Sequence, residues 1–98
     1  MFIRVWRYEV APGNAERFHE AYGSSGDWAQ LFSRGHGYLD TVLYRAVGTS
    51  DCFITVDRWS DEQAWLAFLA EWRAAYDALD AALEGLASAQ ELLLEGTS

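Results

Sequence analysis

A single cysteine, Cys52, leaves no possibility of a disulfide within the chain, and its place in an apolar strand pattern marks it as a small core residue. Basic residues are scarce: seven Lys and Arg stand against fifteen Asp and Glu, a formal net charge of −8. That balance argues against nucleic acid, whose phosphates need a basic face, and against an anionic membrane surface. No stretch reaches the ~18 consecutive apolar residues of a membrane span. The N-terminus, Met1-Phe2-Ile3-Arg4-Val5-Trp6-Arg7, has neither the apolar run nor the small-residue cleavage site of a secretory leader. A cytoplasmic protein is expected. The two histidines, His19 and His36, show no metal-ligand spacing, so no metal is predicted. No glycine-rich phosphate loop supports a nucleotide or flavin, and no bound cofactor is predicted.

Aromatic side chains are plentiful. Five Trp, five Tyr and five Phe make up 15% of 98 residues, more than a core of this size uses, so some are expected to line a cavity or an interface. Phe2 to Val10 reads as a strand with apolar residues on both faces. Pro12-Gly13-Asn14 is a turn, and a helix from about Ala15 to Tyr22 buries Phe18 and Tyr22. A second short helix, Asp27 to Phe32, is capped by Asp27. Tyr38 to Val47 and Cys52 to Trp59 form a hairpin across Gly48-Thr49-Ser50-Asp51. Ser60, with Gln63 three residues on, gives the capping box of a long helix from Asp61 to Glu84. Trp65, Phe68, Leu69, Trp72, Tyr76, Leu79 and Leu83 form its buried stripe. Gly85 terminates it, Glu91 to Glu95 is a last strand, and Gly96-Thr97-Ser98 is a frayed tail.

The order β-α-β-β-α-β predicts one domain over 1–98 of the α+β class: a ferredoxin-like antiparallel sheet with helices on one face. Strands one and three carry apolar side chains on the other face as well. A second copy of the sheet is the cheapest cover, which predicts a face-to-face homodimer.

Three short segments carry a family likeness: Tyr8-Glu9-Val10-Ala11-Pro12-Gly13 closing strand one, Gly37-Tyr38-Leu39 opening strand two, and Trp59-Ser60 with Ala64-Trp65 at the strand-to-helix corner. In these the chain resembles the dimeric α/β barrel superfamily and, within it, the antibiotic biosynthesis monooxygenase family. The resemblance implies a pocket between the sheet and the helices of the same subunit. It also implies the chemistry of cofactor-independent, quinone-forming oxygenases. The corner Trp of those members matches Trp59, their strand Asn falls on Thr55, and their helix Arg falls near Leu79. For haem-degrading members, the Asn falls on Trp6, the helix Trp near Phe68 and the ligating His near Ala78. That mechanism is therefore not expected.

By the same analogy Phe53, Thr55, Asp57 and Trp59 face the pocket, with Arg4, Trp6 and Tyr8 opposite, each set made co-facial by strand alternation. Asp57 is the sole carboxylate on its strand face. In an apolar cleft its pKa would rise, which suits a base that takes a proton from a phenol. The alternative is a buried charge paired with Arg4, with Arg58 or with another arginine at the pocket rim. His36, between two glycines in a loop, is the second candidate base, against the bland reading of a solvated loop histidine. Trp6, Trp28 and Trp59 would form an aromatic box for a small planar aromatic or quinol-type substrate, with Tyr8 and Thr55 beside them. Trp59 alternatively plugs the corner. The competing functions are a non-catalytic dimeric module for a small apolar ligand and an isomerase or cyclase working in the same pocket. A cavity of roughly 300 Å³ between sheet and helices would favour a ligand; one filled by the three tryptophans would exclude it.

Overall fold

The computed structural model describes residues 1–49 and 51–98. Four strands form one antiparallel sheet: β1 (Phe2–Glu9), β2 (Tyr38–Arg45), β3 (Cys52–Trp59) and β4 (Ala89–Thr97), in the order β2-β3-β1-β4. Between β1 and β2 lie a 3₁₀ turn (Pro12–Asn14), α1 (Ala15–Tyr22) and α2 (Asp27–Phe32); α3 (Glu62–Ala82) joins β3 to β4. This is the ferredoxin-like α+β arrangement.

Strand alternation decides which side chains meet the helices. Along β3, Phe53, Thr55, Asp57 and Trp59 are buried, while Cys52, Ile54, Val56 and Arg58 are only half-buried. All three helices pack on the first face. Phe18 of α1 meets Phe53, Phe32 of α2 meets Trp59, and Trp65 of α3 meets Trp59. The opposite face remains apolar, with Ile3, Val5, Val42, Ile54 and Val56 half-buried and Tyr44 56% exposed.

Several local expectations need correction. The cap of α3 is Asp61, whose side chain accepts from the Ala64 amide at 2.8 Å, and not Ser60. Ser60 donates its own amide to the Gly37 carbonyl at 2.7 Å, which draws it into the β2–β3 corner. Gly37 holds φ +87°, and a Cβ there would strike Ser60 Oγ and lie 2.8 Å from Ala64 Cβ, so no larger residue fits the corner. The cap position of α2 is Gly26, and Asp27 lies in its first turn without a capping bond. β2 stops at Arg45 rather than Val47, which is fully exposed. The turn beyond includes Ser50, outside the described residues. α3 is interrupted at Trp72, whose φ of −111° and ψ of 21° are not helical. Gly85 takes φ +84° two residues beyond the end residue Leu83. β4 is nine residues long, and the tail expected to fray is paired: Thr97 lies opposite Phe2, and the Ser98 amide donates to the Met1 carbonyl at 2.9 Å. A register shift in β4, from Leu94 opposite Val5 to Leu92 opposite Trp6, marks a bulge at Leu93. No described helix is long and apolar enough to cross a membrane.

Candidate functional site

A cavity of about 110 Å³ lies between the sheet and the helices. Its floor is set by register. Arg4 stands opposite Asp57 and Trp6 opposite Thr55 across β1 and β3, and Thr41 of β2 lies opposite Asp57 on the other side. Tyr8 and Gln90 extend this floor, and Tyr22, Trp28, Phe32, Tyr76 and Asp80 roof it from the three helices. Tyr22, Asp80 and Gln90 also line an adjoining surface groove beside the α3–β4 connection, so the two spaces share a border.

Asp57 is the chemical centre of this arrangement. It is 6% exposed, and its Oδ1 accepts from Thr41 Oγ1 at 2.6 Å. Thr41 Oγ1 in turn lies 2.7 Å from the Tyr38 hydroxyl, completing a three-oxygen chain that runs from the cavity to a half-buried phenol. Burial pushes the Asp57 carboxyl up to about 6, against the opposing pull of the Thr41 hydrogen bond and the Arg4 charge. Neither arginine named in advance forms an ion pair with it. Arg58 binds Asp40, its Nε 2.6 Å from Oδ1. Arg4 Nε binds Glu95 Oε2 at 2.8 Å, and its guanidinium lies 4.1 Å from the Trp65 ring centroid and 5.7 Å from that of Trp6. Strapped in this way by β4 and two indoles, Arg4 acts on Asp57 through charge alone. Burial also raises the pKa of Tyr8, Tyr22 and Tyr76, which keeps these cavity phenols neutral.

Of the residues singled out from the sequence, Trp6, Tyr8, Trp28, Thr55 and Asp57 come together around the cavity. Two lie elsewhere. Trp59 is 0% exposed, its ring 5.2–5.6 Å from those of Phe32, Tyr38, Trp65 and Phe68, so it closes the corner and does not line the cavity. His36 is exposed in its loop and is not a lining residue. The cavity is smaller than the expected 300 Å³, yet the tryptophans do not fill it: Trp6 and Trp28 form walls. Thr41, Tyr76, Asp80 and Gln90 were not anticipated. Thr41 follows from the hairpin register once Asp57 is chosen, and Asp80 follows Tyr76 by one helical turn. Gln90 fell outside the strand as drawn from the sequence.

Residues 1–81 match the family model described as antibiotic biosynthesis monooxygenase. Among solved structures, a Deinococcus radiodurans protein named for the same family superposes with a TM-score of 0.78 at 15% identity, covering 100% of this chain and 92% of that one. SnoaB, a cofactor-independent oxygenase from Streptomyces nogalater, gives 0.68 at 20% identity, with 99% and 94% covered. A monooxygenase from the gene ActVA-Orf6 of Streptomyces coelicolor, in complex with nanaomycin D, gives 0.71 at 22% identity, with 99% and 86% covered. At these identities the likeness establishes the fold. No curated protein matches the chain.

Proposed function

The chain belongs to the antibiotic biosynthesis monooxygenase family, and on that footing we propose that it is a cytoplasmic, cofactor-independent monooxygenase acting on a small planar aromatic or quinol-type substrate. The observation that carries this reading is Asp57: a buried carboxylate, raised to about 6, in the floor of an aromatic cavity. At neutral pH such a group is largely ionised yet basic enough to take a phenolic proton. The resulting phenolate is electron-rich and is itself the reductant: dioxygen adds at the ring carbon para to it, that carbon gives up its hydrogen and keeps one oxygen as the quinone carbonyl, and the other oxygen leaves as water, so the protein's part is to bind, orient and deprotonate. Trp6 and Trp28 hold the ring, Tyr8 and Thr55 supply neutral polar contacts, and Arg4 offsets the negative charge that builds up. His36, exposed and outside the lining, is assigned no step. A ring system larger than the 110 Å³ cavity extends past Tyr22 and Gln90 into the groove. The test is conversion of 1-naphthol to 1,4-naphthoquinone under ¹⁸O₂ by wild type and Asp57→Asn, the label in the product reporting oxygen insertion. A drop of two orders of magnitude or more is expected for removal of a general base, and equal rates would end the assignment.

A second reading, a non-catalytic module for the same ligand, is favoured by Thr55 and Leu79, which stand where the resemblance implies Asn and Arg. Ligand binding without turnover by wild type would select it. We further propose a homodimer through the open sheet face. Ile3, Val5, Val42, Ile54 and Val56 give that face a continuous apolar surface that the chain's own helices leave uncovered. Val56→Glu is expected to convert a dimer to a monomer in light scattering; a wild-type monomer at micromolar concentration would exclude the arrangement.

A further inference from the structure

Along an unbroken strand, residues three apart point to opposite faces of the sheet. Tyr38 and Thr41 of β2 are three apart, yet both lie on the face that meets the helices. The cause is a bulge. Tyr38 stands opposite Trp59 and Asp40 opposite Arg58, so Leu39 is extra, and the alternation is reset before Thr41 arrives opposite Asp57. The Tyr38 ring is held by Phe32 and Trp59, at centroid distances of 5.8 and 5.2 Å, outside the cavity lining. Its hydroxyl reaches back along β2 to Thr41 Oγ1 at 2.7 Å. Bulges re-aim side chains beside functional sites. This one joins a phenol outside the cavity to the cavity floor.

The direction of the chain follows from counting hydrogens. An ionised carboxylate only accepts, and a hydroxyl has one hydrogen to give. Thr41 gives its hydrogen to Asp57 Oδ1 at 2.6 Å, so the bond between Thr41 and Tyr38 is donated by Tyr38. Burial raises the pKa of Tyr38, which keeps it protonated and able to donate. Among the described residues Thr41 alone hydrogen-bonds the Asp57 side chain. The other titratable groups around the cavity are Arg4 and Tyr8 of β1, Tyr22 of α1, and Tyr76 and Asp80 of α3; the lining residues from α2 and β4, Trp28, Phe32 and Gln90, carry no charge. Asp40 and Arg58, beside Tyr38, pair with each other. We propose that Tyr38 is a positioning residue of the cavity: from outside it, the Tyr38 hydroxyl holds that of Thr41 turned onto Asp57 and so keeps the carboxylate ionised in an aromatic chamber. Each donor in such a chain strengthens the next. Without the phenol, the Thr41 hydroxyl is free to turn away. The proposal gains its purpose from the reading of Asp57 as a base, but it is measured without turnover.

The test follows the Asp57 side-chain carboxyl ¹³C resonance through a pH titration of the ligand-free protein. Tyr38→Phe keeps the ring and removes the oxygen, and the midpoint is expected to rise by about 0.3 pH unit, the share of a charged hydrogen bond that a polarising neighbour supplies. Thr41→Val removes the bond itself and should raise the midpoint by about one pH unit. Tyr38→Phe added to Thr41→Val should give no further rise, because Tyr38 acts through Thr41. 3-Fluorotyrosine at position 38, a more acidic phenol of nearly the same shape, is a stronger donor and should lower the midpoint, a reversal of sign that loosened packing cannot produce. His36, exposed in the loop before β2, and Asp80 are common to all variants and cancel in the comparison. If Thr41→Val does not fold, the opposite signs of the two changes at position 38 still decide. An unmoved midpoint in Tyr38→Phe, a further rise in the double variant, or a shift of the same sign from 3-fluorotyrosine would each overturn the proposal. If the midpoints move as expected while Asp57→Asn forms naphthoquinone as fast as wild type, the role of Tyr38 stands and the oxygenase reading falls. If Asp57→Asn abolishes quinone formation while the midpoints stay put, the base stands and Tyr38 is removed from the site.

Discussion

Replacing Asp57 by Asn should stabilise this protein, and by an amount that depends on pH. In the unfolded chain the carboxyl titrates at its ordinary 3.8; folded, burial lifts it to about 6. The folded state therefore holds the proton more tightly than the unfolded state. Stability is fully retained below the unfolded value, declines as pH climbs between the two, and is lowest above pH 6. The gap between the two values, at ~1.4 kcal/mol per pH unit, comes to about 3 kcal/mol. Asparagine carries no charge at any of these pH values, and its Oδ1 can still accept from Thr41. The variant should then match wild type near pH 4 and exceed it by about 3 kcal/mol at pH 8, which for ~100 residues corresponds to a rise of more than ~10 °C in Tm. Urea and thermal unfolding at constant ionic strength, followed by circular dichroism at several pH values from 4 to 8, measure this. Other titrating groups are common to both proteins and cancel in the difference. A gap that does not change with pH, or a variant less stable than wild type at pH 8, would refute the argument that Asp57 is held ionised against its surroundings. A stabilised variant that has lost turnover would carry the signature of a residue retained for chemistry at a cost in stability.

Thr41→Val removes the hydrogen bond that holds the Asp57 carboxyl down, so its pKa should rise above 6 and the acidic limb of a pH–rate profile should move to higher pH; an unshifted carboxyl infrared band would contradict this. Asp61→Ala should cost about 1 kcal/mol through loss of the α3 cap, whereas Ser60→Ala should stay within ~0.5 kcal/mol. The reverse order in denaturant midpoints would reinstate Ser60 as the cap.

How far the sequence carried depended on the kind of signal. Period-two alternation identified Phe53, Thr55, Asp57 and Trp59 as one face, and the helix period identified the stripe from Trp65 to Leu83, because both follow from backbone geometry alone. Trp59 was expected either to meet a ligand or to close the corner. Whether an indole meets a ligand or four other rings depends on the helix approach angle, and no spacing along the chain reports that. The partner of Asp57 was sought among arginines, by the general rule for buried charge. Thr41 supplied the contact while Glu95 and Asp40 engaged Arg4 and Arg58, a competition across all four strands invisible in any one of them. Ser60 and Asp61 are adjacent and both good caps; the Gly37 carbonyl, which binds the Ser60 amide, decided between them.

The break in α3 at Trp72 has a mechanical meaning. Trp65 and Phe68, anchored in the aromatic cluster, precede it; Tyr76 and Asp80, which roof the cavity, follow it. An uninterrupted helix would act as a rod, and lifting its roof end would lever the anchored end out of the core. A joint at Trp72 divides the rod, so raising the roof would break the contacts of Tyr76 with Trp28 and Trp65 and those of Leu79 with the core, but would leave the packing of Trp65 and Phe68 on Trp59 in place. Amide exchange measured along the chain should accordingly run faster over 73–82 than over 65–71, and one common rate for both halves would show the rod to be undivided. Faster exchange over 73–82 would make the 110 Å³ cavity the closed volume of a hinged chamber, with the ring size it admits set by how far the outer half of α3 swings.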